Sequence, residues 1–308
     1  MKNIAMKNPN YWKSHYVVET DAEEIERNIR LTSFSSGDKN FGLVCFEKGK
    51  RAPNILISPG SGGHSYVFAE LGYLMHKKGY NVFIMPRHGS ATINELMQRH
   101  EDALEHIANN FNENIGVFAE GLGSYAVFYL ALAHGPMKSM VLQNGPAILT
   151  EDEFQKAFSE GGGAARRRKL ILPFAKFLAK IFPSLPVPIS LYLDYKDLID
   201  TKEENRKLET RLVKEGYLKD PDFNKWNALS AIMSLVLTPP PNPLSELKTP
   251  VMFIVPARGI YPSYEKDLFG RLPAVKKKLA EVDGSVFWMV SHPKEAAKII
   301  CKRFDETL

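Results

Sequence analysis

Cysteine is scarce in this chain. The two in 308 residues, Cys45 and Cys301, stand far apart in apolar surroundings. That excludes a disulfide framework or a cysteine-rich metal site and points to buried free thiols in a reducing cytoplasm. No apolar run approaches the roughly 18 residues of a spanning helix. The opening "MKNIAMKNPNYWKSHY" also lacks an apolar core with a small-residue cleavage site, so neither a membrane span nor a secretory signal is expected. No internal repeat is present. Neither sign of charge dominates: 40 basic and 35 acidic residues leave +5, and the two kinds are interspersed. This argues against nucleic acid as a partner while allowing weak attraction to anionic lipid. A phosphate cradle is missing, since "GSGGH" lacks the lysine and the Ser/Thr that such a loop needs. The run "RHEDALEH" holds His100, Glu101, Asp102 and His106, but its histidines fall on different sides of a helix. A solvated helix face is expected there rather than a metal site, and no cofactor is implied.

What the chain does have is a hydrophobic fraction of 44%, enough for a sizeable core. From Phe41 to Ile148 short β-branched runs alternate with helical spacing, the pattern of βαβ units and a mostly parallel sheet. The strands read as "GLVCFEK", "NILISPG", "NVFIMP", "IGVFAE" and "SMVLQNGP". Between them lie helices in "SYVFAELGYLMHKKG", "TINELMQRHEDALEHIANNF" and "LGSYAVFYLALAHG". The pattern stops near Thr150 and gives way to helical and irregular sequence rich in breakers, from "EGGGAARRRK" to "TPPPNPLSELKTP". "PVMFIVPARG" then resumes as a buried strand, and "PKEAAKIICKRF" closes as an amphipathic helix. The expected organisation is a core in two parts, residues 1–149 and 248–308, with a helical cap inserted over 150–247.

Three features of this layout fit one chemistry. "SPGSGGH", after a buried strand, offers glycines that let backbone amides approach an oxyanion. "FAEGLGS" breaks sharply from strand to helix, with Ala119, Gly121 and Gly123 in the spacing of a nucleophile elbow. A strand after the cap, a closing strand and a terminal helix stand where an acid and a histidine would be supplied. On these residues the chain resembles the α/β-hydrolase superfamily, and more narrowly its capped lysophospholipase-like and monoacylglycerol-lipase-like esterases, over roughly Phe41 to Phe304. The resemblance implies an α/β-hydrolase fold, with a mostly parallel sheet flanked by helices. It also implies an oxyanion and pocket region at Gly60, Ser61 and Leu122.

The resemblance puts Gly121 in the nucleophile's position and Gly259, after "FIVPAR", in that of the acid. Neither glycine can attack or orient anything. Two registers are open for the histidine. Counting back from Pro293 in the family's spacing gives Val286, with "KKKLAEVDG" as the closing strand; this is the favoured one. The other makes "SVFWMVS" the last strand and puts His292 at its end. Ser124 falls inside the helix, where packing or a hydrogen bond suits it best. Glu120, just before the tip, is expected to point away from the pocket, and Asn144 is a candidate polar pocket residue. His64 and His88 are placed in loops near the pocket mouth, as ligand contacts or structural hydrogen bonds.

The segment Arg166 to Phe182 is basic and amphipathic: Lys169, Lys176 and Lys180 share a sector that Phe174, Phe177, Leu178, Ile181 and Phe182 oppose. With Arg166, Arg167 and Arg168 it reads either as a cap helix burying its apolar side or as a lid that touches anionic membrane. The leading expectation is a hydrolase-derived protein with a degenerate triad, binding an acyl-ester or lipid-like ligand without efficient hydrolysis. Two alternatives stand beside it: an ester hydrolase, active or inactivated, with His292 and a nearby serine, and a peripheral membrane or partner-binding module. The sequence sets no oligomeric state.

Overall fold

The β-branched runs pair into one sheet, seen in a computed structural model that describes residues 7–145, 174–191 and 193–308. Its strands are β1 (Arg30–Ser36), β2 (Lys39–Phe46), β3 (Asn54–Ser58), β4 (Asn81–Ile84), β5 (Ile115–Glu120), β6 (Ser139–Gln143), β9 (Val251–Arg258) and β10 (Lys277–Ser285). Two short strands, β7 (Pro186–Pro188) and β8 (Trp226–Ala228), form a separate ribbon. The eight-stranded order is β1-β2-β4-β3-β5-β6-β9-β10. From β4 to β10 neighbouring strands run parallel, while β1 and β2 add an antiparallel hairpin at one edge. Mostly parallel sheets are covered on both faces, and period-two alternation sorts these strands accordingly. Val117 and Ala119 of β5, with Phe253 and Val255 of β9, join one buried cluster. Phe118, Met252 and Ile254 join the other.

Helices fill both faces. The cluster containing Phe118 packs on α1 (Tyr11–His15), α2 (Ala22–Asn28), α3 (Ala69–Lys77) and the terminal helix Pro293–Asp305. The cluster containing Val117 packs on α4 (Ile93–Asn110), α5 (Leu122–Leu132) and the helix Pro262–Arg271. Local signals explain where these helices start. Thr92 and Glu95 close a reciprocal capping box on α4, and Pro262 and Pro293 occupy first-turn positions where a missing N–H costs nothing. Cys45 and Cys301 are free and buried, and burial pushes both thiols up to about 12.

Residues between β6 and β9 are less uniform than a helical cap. Besides helices at 174–181, Glu203–Arg211 and Leu229–Leu237, they include the β7–β8 ribbon and a π-helical turn at Leu212–Tyr217. Prolines in "FPSLPVP" hold the chain extended into β7, as residues before proline avoid helical angles. Among the described residues no helix is long and apolar enough to cross a membrane.

Candidate functional site

The strand–turn–helix from β5 to α5 turns on Gly121, whose φ of 51° and ψ of −115° suit glycine and strain other residues. Its N–H donates to the Gln143 carbonyl at 2.9 Å, fixing the turn against the end of β6. Space at the tip is open: a Cβ on Gly121 would find only Gly60 Cα within 4 Å, at 3.6 Å. Opposite lies Gly60, which follows β3, and the Glu120 carboxylate lies against it so closely that a Cβ on Gly60 would overlap it. The Glu120 carboxylate thus covers the Gly60 backbone. Burial pushes this carboxyl up to about 7, against the pull of its hydrogen bonds from Asn144 and Gly60. Glu120 nevertheless keeps part of its surface exposed, as do Ser61, Gly121, Leu122 and Gly259. The expectation that Glu120 points away from the pocket is therefore corrected: it lies over the turn proposed for the oxyanion, admitted by the missing side chain at Gly60.

Asn144, just past β6, ties the other positions together. It adopts a left-handed φ of 51°, tolerated by asparagine better than by most residues. Its Nδ2 donates to the Val286 carbonyl at 2.9 Å and to Glu120 Oε1 at 3.4 Å. Its Oδ1 lies 3.7 Å from where a Cβ on Gly259 would sit. Gln143 Nε2 also donates to the Val286 carbonyl, at 3.3 Å. Thus Gly121, Gly259 and Val286 gather at the carboxyl ends of β5, β9 and β10, around an amide instead of a triad. Val286 itself is buried and has no titratable group. Asp283 and Asp200 reach the Gly259 turn from elsewhere, but both pair with Arg258, Asp200 at 2.9 Å and Asp283 at 2.7 Å. One strand end away, Glu265 accepts the Gly145 N–H at 2.6 Å, and burial pushes its carboxyl up to about 8.

No protein-family model matches the chain, and comparison with curated proteins gives no match either. Solved structures do match. A monoacylglycerol lipase from Paleococcus ferrophilus superposes with a TM-score of 0.61 at 17% identity, over 85% of this chain and 99% of that one. A soluble variant of monoglyceride lipase from Saccharomyces cerevisiae, in complex with a substrate analog, gives 0.66 at 13% identity, over 90% and 96%. The alpha/beta hydrolase GrgF from Penicillium sp. sh18 gives 0.65 at 14% identity, over 91% and 98%. The chain has the α/β-hydrolase fold.

Within the α/β-hydrolase fold, the remaining candidates divide into those near the elbow and those elsewhere. Ser61, beside Gly60, accepts from Asn227 Nδ2 at 3.1 Å, and Leu122 opens α5. The strand "SVFWMVS" of the second histidine register is not formed: Trp288–Ser291 is a short helix and β10 covers "KKLAEVDGS". His292 opens the terminal helix and hydrogen bonds Ser291 Oγ at 2.9 Å, while Ser291 also donates to Glu209 at 3.3 Å. Ser124 donates to the Ala119 and Gln143 carbonyls at 2.9 and 3.1 Å, bracing the elbow from below. Arg166, Arg167, Arg168 and Lys169 lie outside the described residues. Lys176 and Lys180 are on the helix 174–181, where Phe174, Phe177, Ile181 and the adjoining Phe182 are 51–62% exposed. The reading in which this side is buried on the core is thereby corrected.

His64, His88 and His100 make buried hydrogen bonds within the fold. His64 accepts the Tyr66 N–H, which leaves its Nε2–H to donate to Asp220 at 2.8 Å; Tyr16 donates to the same carboxylate at 2.6 Å. Burial pulls Asp220 up, but these bonds outweigh it and hold the carboxyl below its usual range. His100 is buried rather than on a solvated face. Its Nδ1–H donates to the Leu96 carbonyl, so Ser58 Oγ donates to its Nε2 at 2.7 Å. His88 donates to the Pro59 carbonyl at 2.7 Å beside the same serine. Burial pushes both rings well down, His100 to about 4, and Ser58, His88 and His100 are all shut away from solvent. Among the described residues no cluster is suited to a metal ion.

Sequence reasoning missed the direction of Glu120 and the bridging by Asn144. The signal for the first was present at Gly60: a glycine facing a strained turn leaves room for whatever side chain precedes the tip.

Proposed function

We propose that this chain is a disarmed α/β-hydrolase-fold protein that holds an acyl-ester or lipid-like ligand without efficient hydrolysis, with residues 150–247 serving as a cap. One observation carries the reading: at the elbow, Gly121 offers no nucleophile while the Glu120 carboxylate lies over Gly60, where an oxyanion would need to sit. The positions of acid and histidine, Gly259 and Val286, supply neither group. The lipases among the matching structures support the ligand class, and two buried free thiols fit a cytoplasmic setting. An active esterase would need a serine that is both accessible and activated. Among the described residues, Ser58 and Ser291, which hydrogen bond histidines, are both buried. Fluorophosphonate labelling alongside a p-nitrophenyl ester assay tests this directly: heat-sensitive labelling of any serine sinks the proposal.

A second reading is favoured by a separate observation. Phe174, Phe177, Ile181 and Phe182 expose more than half their surface beside Lys180, a combination suited to an anionic bilayer surface. Sedimentation with vesicles of neutral and anionic lipid measures it, and indifference to lipid charge counts against contact of this kind.

A further inference from the structure

An armed site of this fold presents hydrogen-bond donors to an oxygen that gathers negative charge. Here the polarity is reversed. The Gly60 backbone is already covered by the Glu120 carboxylate, and Gly121 brings no hydroxyl. The orientation of Asn144 is fixed by its surroundings, because the Val286 carbonyl and Glu120 Oε1 are both acceptors and only Nδ2 can face them. Oδ1 is therefore the end beside the empty Gly259 position, where it is buried with no partner among the described residues. A buried acceptor left unmatched costs about 1–3 kcal/mol in general, a cost that an arriving donor removes. Among the described residues no lysine, arginine or histidine is paired with the Glu120 carboxylate, which accepts from Asn144 Nδ2 and lies against Gly60. The amino end of α5 would attract an anionic head, but Glu120 already supplies negative charge beside it.

We propose that the site between Gly121 and Gly259 receives the hydrogen-bond-donating end of its ligand, a hydroxyl or a primary ammonium, on Glu120 and Asn144 Oδ1, and disfavours carboxylates and ester carbonyls. This rests on the lipid-like reading of the pocket and adds the chemistry of the head group. A carboxylate head would meet two acceptors and a like charge; an ester carbonyl would meet the Glu120 carboxylate over the Gly60 turn. An alcohol donates its one O–H to either oxygen, whereas an ammonium can donate to both and also neutralises the carboxylate.

Matched eight-carbon probes separate these cases: octan-1-ol, octylammonium, octanoate and methyl octanoate, titrated calorimetrically into the full chain at pH 8. The alcohol and the ammonium are expected to bind at least about tenfold tighter than the other two. Glu120→Gln, which keeps shape and removes charge, should cut octylammonium affinity about tenfold and change octanol far less. Octylammonium ahead of octanol makes the Glu120 charge the leading determinant, and the reverse order makes it the hydrogen bonds; both support the proposal. Octanoate or methyl octanoate binding as tightly as the donors leaves the lipid-like reading standing and overturns this one. No binding by any probe overturns both. Because the four-ligand comparison uses the unaltered chain, it decides even where a variant fails to fold.

Discussion

Rearming the elbow tests the site in stages. Gly121→Ser places a side chain where the nearest neighbour, Gly60 Cα, is 3.6 Å from the new Cβ, so space is adequate and backbone strain is the cost. At φ 51° and ψ −115° that strain is about 1–3 kcal/mol, read as a lower urea midpoint. The single variant should gain almost no esterase activity, since its hydroxyl meets neither base nor orienting acid. Adding Gly259→Asp and Val286→His supplies both, although a Cβ on Gly259 would sit only 3.1 Å from the Pro256 carbonyl and the new carboxylate would face Asn144 Oδ1. That triple variant still has its Gly60 amide covered by Glu120. Losing one oxyanion donor lowers kcat by about 10²–10³-fold, roughly 2.7–4 kcal/mol. Adding Glu120→Ala to the triple variant should therefore raise p-nitrophenyl butyrate hydrolysis by about that factor. Equal rates for the triple and quadruple variants would show that Glu120 does not block the site. A Gly121→Ser variant within tenfold of the quadruple would refute the claim that the acid and histidine are missing.

Other consequences can be measured separately. Glu265 is neutral in the folded chain up to about pH 8 and ionises near 4.5 when unfolded. The folded state thus holds the extra proton between those values, and stability falls as pH rises through the window, by at most about 5 kcal/mol. Urea unfolding at pH 5 and pH 8 should show a smaller fall for Glu265→Gln than for the parent, and an unchanged difference removes Glu265 as a cause. Asp220→Asn turns an NH2 toward donors from Tyr16 or His64 and should cost about 1–3 kcal/mol in urea unfolding; a neutral result would mean that this buried cluster does not hold the β6–β9 connection to the rest of the chain. Gly60→Ala should expel the Glu120 carboxylate and destabilise the fold. Glu120→Ala in the same chain should recover most of the loss, so additive effects of the two changes would contradict the contact.

The core was legible because its signals are local. Strands β3, β5, β6 and β9 are apolar runs between breakers, and α4 carries its own capping box, so their placement in the sequence holds to within a few residues. The hairpin edge was less legible: β1, "RLTSFSS", is largely exposed and polar, and only its pairing with β2 makes it a strand. The β7–β8 ribbon joins residues some forty positions apart, a contact that no local period announces. At the site, the strand–turn–helix at Gly121 was readable from its flanking pattern. The roles of Glu120 and Asn144 were not, because they depend on which way a side chain leaves a turn and on a left-handed residue at the end of β6. His100 misled for a related reason: its neighbours in sequence are charged, but its ring closes under Ser58.

The fit between Gly60 and Glu120 also sets an order for change. With the carboxylate in place, any larger residue at 60 meets it, and a serine arriving first at 121 would face a carboxylate over the Gly60 turn. Until Glu120 is replaced, a larger residue at 60 clashes and a serine at 121 gains less than it otherwise would. On the proposed reading, the packing of Glu120 against Gly60 therefore makes the order of changes matter, because what happens at 120 sets how much each later change can gain.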